Sequence, residues 1–122
     1  MGTVHDVARE FTALLRLGQF ETAGEEFWAN DVTSIEPADL PGCITSRVSG
    51  IEALRGKSKS RFGASSIDGL GIDGPFITGN QFALFLDMVI VDRARGGRQP
   101  FTAIAIFTVR DTKVIEERYF YD

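Results

Sequence analysis

The stretch that decides the fold is QFALFLDMVIVDRARGGRQPFTAIAIFTVRDTKVIEERYFYD, residues 81–122. Three strand-like runs lie in it, from Gln81 to about Arg93, from Arg98 to Arg110 and from Lys113 to about Tyr121. Only the short segments RGG and RDTK separate these runs, and connections of that length join antiparallel neighbours. The sequence therefore predicts an antiparallel meander of three long strands.

Three helices are predicted in the first half of the chain. Apolar residues at helical spacing predict a first helix between Thr3, which can cap it, and Gly18, which ends it. A second helix is predicted to carry Trp28 on its apolar face. Ser49 has the spacing of a capping box before a third helix, which we expect to end near Phe62.

Two further strands are predicted around the third helix. VTSI, residues 32–35, is read as a short strand followed by a loop, and SIDGLGI, residues 66–72, as a strand that glycines weaken. The segment after Gly74-Pro75 can continue that second strand past a kink. Helices followed by antiparallel strands indicate an α+β domain, with the helices on one face of the sheet, and we expect a single domain over residues 1–122.

The first meander strand is apolar on both faces. Strand alternation divides it into two sets, one of Phe82, Leu84, Leu86, Met88 and Ile90, the other of Phe85, Asp87, Val89 and Val91. A sheet that helices cover on one face only is normally polar on its other face. The sequence therefore predicts that a second copy of the chain covers the other face, in an isologous homodimer.

Composition excludes several classes of protein. The 13 basic and 17 acidic residues give a net charge of −4, which argues against a nucleic-acid-binding protein and against binding to an anionic membrane. The chain has no apolar run of the roughly 18 residues that a spanning helix needs. Cys43 is the only cysteine and His5 the only histidine, so we expect no disulfide, no metal site and no cofactor, in a cytoplasmic protein.

Four segments together resemble the SnoaL-like branch of the nuclear transport factor 2-like superfamily: FWANDVTSIEP, GIEALRGKSK, GPFITGNQFALFLDMVIV and TKVIEERYFYD. The resemblance implies a cone-shaped, curved antiparallel sheet wrapped around three N-terminal helices, a cystatin-like α+β roll. It also implies a deep apolar pocket and dimers through the sheet. The superfamily includes ketosteroid isomerases, limonene epoxide hydrolases, polyketide cyclases, dehydratases and non-catalytic members, so the fold leaves the function open.

Two catalytic patterns of the superfamily are incomplete in this chain. Glu36, directly before Pro37, matches the general base of the ketosteroid isomerases, but Phe11 and Ala105 stand where that family has its hydrogen-bond donors. Asp87 matches the pocket aspartate of the limonene epoxide hydrolases, but the partner positions of that pattern hold Phe85 and Tyr119. The resemblance therefore favours neither of these two reactions.

The remaining candidate site is a pocket with aromatic walls and a few polar groups. Its expected catalytic residues are Asp87, Glu36 and Tyr119. Its expected lining consists of Phe11, Trp28, Phe85, Val89, Phe101, Ala103, Ala105, Phe107, Glu117 and Tyr121. Asp87 is alternatively a structural acid, paired with Arg118 or lying in the dimer interface, since a one-residue change of register would exchange the two faces. Glu36 is alternatively an acceptor of hydrogen bonds from the loop that follows it.

The basic run RGKSKSR, residues 55–61, has two interpretations. A solvated helix face is the ordinary one, and an anion-binding site is the alternative. Altogether the sequence predicts a protein that binds a small apolar or mixed-polarity molecule. It would act as a cofactor-independent acid/base enzyme, such as a cyclase, isomerase, dehydratase or hydrolase. The alternative is a non-catalytic ligand-binding or protein-interaction module of the same fold.

Overall fold

The computed structural model describes residues 3–40 and 44–122. Its helices are α1 (Val4–Arg16), α2 (Phe20–Phe27) and α3 (Ile51–Ala64). Its strands are β1 (Trp28–Ile35), β2 (Arg47–Ser49), β3 (Ser65–Thr78), β4 (Gln81–Asp92), β5 (Arg98–Arg110) and β6 (Lys113–Phe120). Cys43 lies outside the described residues. The α+β fold class is confirmed, as are the three helices and the meander.

Helix α1 begins where the sequence predicts. The hydroxyl of Thr3 accepts a hydrogen bond from the backbone N–H of Asp6, whose carboxylate accepts one from the backbone N–H of Thr3. This reciprocal capping box satisfies N–H groups that the first turn would otherwise leave without partners. The helix buries its apolar stripe, including Val7, Phe11 and Leu15, against the sheet.

Two local predictions are wrong. Trp28 does not extend α2 but begins β1, which pairs with β6 in parallel. Pairing with a strand distant in sequence decides this boundary, which helical spacing alone misplaces. Ser49 does not cap α3, because it lies in β2, where it pairs with Thr33. Instead Gly50 directly precedes the helix, with φ +93, a conformation that favours glycine.

The six strands form one open, curved sheet in the order β2-β1-β6-β5-β4-β3. The pairs β3–β4, β4–β5 and β5–β6 are antiparallel, as the short connections predict. Two irregularities in the register of β3 against β4 accompany the bend, as β-bulges commonly do. The three helices pack against the inner face of this sheet, and the core lies between them. No helix within residues 3–40 and 44–122 is long and apolar enough to cross a membrane.

The register of β4 identifies its buried face. Leu84 lies opposite Ala105 and Leu86 opposite Ala103, and these residues are buried. Asp87 lies opposite Thr102 and is exposed on the outer face. Asp87 therefore does not share a face with the inward residues of β5. The prediction that the Asp87 set of β4 side chains points inward is wrong, because the alternate set, which begins one residue earlier, is the buried one.

Candidate functional site

A cavity of about 440 Å³ lies between the helices and the inner face of the sheet. Its volume falls in the range of roughly 300–1,000 Å³ that is usual for small-molecule sites. The walls are mainly apolar and come from all three helices, from Trp28 at the start of β1 and from β3, β4, β5 and β6. The apolar lining consists of Phe11, Leu15, Phe20, Leu54, Phe62, Ile67, Leu86, Met88, Ile90, Phe101 and Phe107, with Leu40 and Ile44 beside them.

One side of the cavity holds a buried ion pair. Glu36 follows the last residue of β1 and Lys57 lies in α3, which packs on β1. Lys57 Nζ donates to Glu36 Oε2 at 2.6 Å, and the two side chains are 8% and 2% exposed. A lysine this deeply buried is rare unless a carboxylate pairs with it. Tyr121 donates its hydroxyl to Glu36 Oε1 at 2.6 Å, so both oxygens of Glu36 are engaged.

A second carboxyl group is joined to this pair through Ser34. Lys57 Nζ donates to Ser34 Oγ at 2.7 Å, and that hydroxyl donates to Glu117 Oε1 at 3.1 Å. The indole N–H of Trp28 donates to Glu117 Oε2, also at 3.1 Å. Strand register explains the contact, because Ser34 lies beside Glu117 where β1 pairs with β6. The result is one continuous hydrogen-bond network from Glu36 to Trp28.

The two carboxyl groups of the network have different surroundings. Glu36 faces the ammonium group of Lys57 directly, whereas Glu117 receives hydrogen bonds from neutral groups. Burial raises the pKa of Glu117, and the hydrogen bond from Trp28 and the charge of Lys57 only partly offset this effect. Two carboxyl groups in different surroundings are a recurring arrangement in acid/base sites.

Two phenols complete the polar side of the cavity. Burial, with a further contribution from Glu117, raises the pKa of Tyr119 well above its ordinary value. Burial and the hydrogen bond to Glu36 raise the pKa of Tyr121 as well. Both phenols therefore keep their protons at neutral pH and can donate hydrogen bonds. Lys57 Nζ also lies 5.5 Å from the centre of the Tyr119 ring, within reach of a cation–π contact.

Most of the predicted site residues lie at this cavity. Glu36 and Tyr119, two of the three expected catalytic residues, line it. So do six of the expected lining residues: Phe11, Trp28, Phe101, Phe107, Glu117 and Tyr121. Ala103 and Ala105 are buried on the inner face but do not line the cavity. These positions are structural findings, while the catalytic roles stay predictions.

Three predicted site residues lie elsewhere. Asp87, Phe85 and Val89 occupy the outer face of β4, because their partners Thr102, Ile104 and Pro100 point away from the helices. The expectation that they line the pocket is wrong. Because β4 carries apolar residues on both faces, alternation divides its side chains into two sets without showing which set is inside.

Lys57, Ser34 and Arg61 belong to the site, although none of them is among the predicted site residues. The ordinary interpretation of the run RGKSKSR is a solvated face and its alternative is an anion-binding site, and in the structure Lys57 and Arg61 line the cavity. Leu54 is three residues before Lys57 and seven before Arg61, so the three lie on one side of α3. Their helical spacing from an apolar leucine was the feature of the sequence that could have indicated that Lys57 and Arg61 face the interior. Among the described residues, no group of three or more histidine, cysteine, aspartate or glutamate side chains could hold a metal ion.

Comparison with known proteins agrees with this architecture. A family model described as SnoaL-like domain matches residues 2–121. A Mesorhizobium loti protein whose provisional name is SnoaL-like polyketide cyclase, with carbohydrate phosphatase in brackets, is 32% identical. The alignment with it covers 98% of this chain and 100% of that one, with a TM-score of 0.89.

More distant structures share the fold alone. A nuclear transport factor 2-like protein of unknown function from Burkholderia pseudomallei is 11% identical with a TM-score of 0.82, over 100% of this chain and 92% of that one. A Bacillus subtilis protein provisionally named an isomerase is 15% identical with a TM-score of 0.73, over 99% and 90% of the two chains. No curated protein matches the sequence. The chain belongs to the SnoaL-like domain family.

Proposed function

We propose that this protein binds a small, mainly apolar molecule in its cavity and performs cofactor-independent acid/base chemistry on it. One observation carries the proposal: the hydrogen-bonded network of Glu36, Lys57, Ser34 and Glu117 borders a cavity whose other walls are apolar. The reaction class includes cyclisation, isomerisation, dehydration and hydrolysis. The names of the structural relatives as polyketide cyclase and isomerase support the same class.

The proposed roles follow from the two carboxyl environments. Glu36 is the proton acceptor, and its partner Lys57 stabilises the negative charge that proton abstraction creates on the substrate. Glu117 and Tyr119 form the donor side, because burial favours the protonated form of each. In this scheme a proton leaves one carbon or oxygen of the substrate for Glu36 and another arrives from Glu117 or Tyr119.

A second candidate function is binding without chemistry. Both oxygens of Glu36 and both oxygens of Glu117 already accept hydrogen bonds within the protein. A network with every acceptor engaged is rigid and well suited to orient a ligand. The two candidates differ in turnover, not in the ligand that they would bind.

The test is a thermal-shift screen followed by product analysis. Steroids, aromatic polyketide-like compounds, terpenoid epoxides and small acids are offered to the wild type, to Glu36→Gln and to Glu117→Gln. Asp87→Asn is the matched control, since it neutralises a carboxylate outside the cavity. Each stabilising compound is then incubated in D₂O, and product formation and deuterium incorporation are followed by NMR.

The outcomes separate the candidates. Turnover in the wild type and in Asp87→Asn, with a loss of at least about 100-fold in Glu36→Gln, supports acid/base catalysis. Stabilisation without turnover supports binding alone. If no compound raises the melting temperature of the wild type, the proposed apolar ligand class is wrong.

We also propose that the outer face of the sheet binds a second copy of the chain. Four large apolar residues there are between 38% and 62% exposed: Phe76, Phe85, Ile104 and Phe120. A contiguous apolar face of this kind is unusual on a monomeric protein. Asp87 lies on the same face, so it would be an interface residue in such a dimer.

A further inference from the structure

Arg61 is more exposed than Glu36 and Lys57, the other members of the ion-paired group at the cavity. It lies in the last turn of α3, lines the cavity and is 38% exposed, which places it at the mouth. Its Nη1 is 3.7 Å from Glu36 Oε1, an ion-pair distance but longer than a hydrogen bond. Glu36 already receives short hydrogen bonds from Lys57 and Tyr121. Arg61 is thus a second cation beside a carboxylate that Lys57 already neutralises.

The other cations of the basic run are directed elsewhere. Arg55 forms ion pairs with Glu25 and Glu52 on the far side of the helix, and Lys59 lines the small surface cleft beside them. All four cations of this run lie within the described residues, and of these only Lys57 and Arg61 line the main cavity. Lys57 is buried in the ion pair, which leaves the guanidinium of Arg61 as the accessible cation at the mouth.

We propose that the cavity takes an amphipathic carboxylate, whose apolar body lies against the aromatic walls and whose carboxylate binds the guanidinium of Arg61. The inference rests on the proposed function, since it assumes an apolar ligand in this cavity. The planar guanidinium can offer two parallel N–H donors to a carboxylate, an arrangement that a neutral alcohol or ester cannot match. Arg61 is then a specificity-determining residue.

Two probes with the same apolar body isolate the charge: 4-phenylbutyrate and 4-phenylbutanol. Trp28 is the only tryptophan of the chain and lines the cavity, so its fluorescence reports occupancy by either probe. In the wild type we expect the acid to bind about tenfold more tightly than the alcohol. In Arg61→Gln the two affinities should become nearly equal, with the affinity for the alcohol unchanged.

Arg118→Gln is the matched control. Arg118 is 42% exposed, close to the value for Arg61, but it does not line the cavity. This variant should keep the tenfold preference for the acid. Binding of the alcohol by each variant also shows that its cavity is folded.

Two results would overturn the inference. Equal binding of acid and alcohol by the wild type, or a preference that survives in Arg61→Gln, would refute the role of Arg61 while leaving the apolar cavity as a binding site. Failure of both probes to bind the wild type would refute the proposed apolar ligand itself, and this inference with it.

Discussion

Replacing Lys57 by methionine tests whether the ion pair at the cavity is as buried as the geometry indicates. Methionine retains most of the apolar stem of lysine but removes the ammonium group. Glu36, which is 2% exposed, then keeps the hydrogen bond from Tyr121 and loses its closest positive partner. Removing one member of a buried pair costs about 3–5 kcal/mol. Arg61 compensates the remaining charge only in part, because it is partly exposed and lies 3.7 Å from Glu36 Oε1, beyond hydrogen-bond distance.

That magnitude converts into a large thermal shift. For 122 residues the entropy of unfolding is about 0.26 kcal/mol/K, so the melting temperature should fall by about 12–20 °C. Urea unfolding followed by Trp28 fluorescence and circular dichroism measures the free energy directly. Lys59→Met is the control, since Lys59 is exposed on the same helix and should change stability by less than about 0.5 kcal/mol.

The double variant Lys57→Met/Glu36→Gln completes the cycle. Glutamine has no charge to leave unpaired and keeps an oxygen for Tyr121, so the double variant should recover about 2 kcal/mol of the loss. A cost below about 1 kcal/mol for Lys57→Met would show that solvent reaches the pair. Strict additivity of the two single changes would show that the two groups do not interact in the folded protein.

Three further predictions concern packing, titration and assembly. A Cβ at Gly24 would lie 2.6 Å from the ring of Trp28, so Gly24→Ala should destabilise the protein by about 1–3 kcal/mol and change the Trp28 emission spectrum. A Cβ at Gly56 would meet open space within a helix, so Gly56→Ala should stabilise the protein by about 0.5–1 kcal/mol. Equal effects of the two alanines would contradict the packing. Because burial raises the pKa of Glu117 above its usual 4.5, its contribution to stability is present at acid pH and is lost as pH rises through the folded-state pKa. Glu117→Gln should therefore gain stability relative to the wild type as the pH rises above 4.5 in urea titrations, and a difference independent of pH would refute this. Ile104→Glu places a charge on the outer face and should convert a dimeric wild type into a monomer in size-exclusion chromatography with light scattering; a wild type that is already monomeric would overturn the proposed dimer.

Local patterns predicted most of the elements. The spacing of apolar residues located α1, and short connections located the meander so closely that β5 has its predicted bounds, Arg98–Arg110. Errors occur where a distant strand competes with a local preference. Trp28 fits a helical stripe, yet pairing with β6 and the bond to Glu117 draw it into β1. The site was predicted only in part. The family resemblance pointed to Glu36, directly before Pro37, and strand alternation together with the resemblance pointed to Glu117, but no pattern distinguished Lys57 from the other cations of its basic run.

The sequence by itself determined the α+β class and the order of the helices and longer strands, because periodicity and turn length are local properties of the chain. Its short motifs indicated the family by resemblance, whereas β2, Arg47–Ser49, lies in a segment that was expected to be a loop. Only the tertiary structure decided which face of β4 is inside, and with it the exclusion of Asp87 from the cavity. Alternation with a period of two divides the side chains of a strand between two faces but does not show which face is buried. The buried face is the one on which the helices pack. The network of Glu36, Lys57 and Glu117 likewise depends on three elements brought together by packing. A charged side chain is stable in a buried environment only when it is paired with partners that fold into contact with it, and those partners are distant in the sequence.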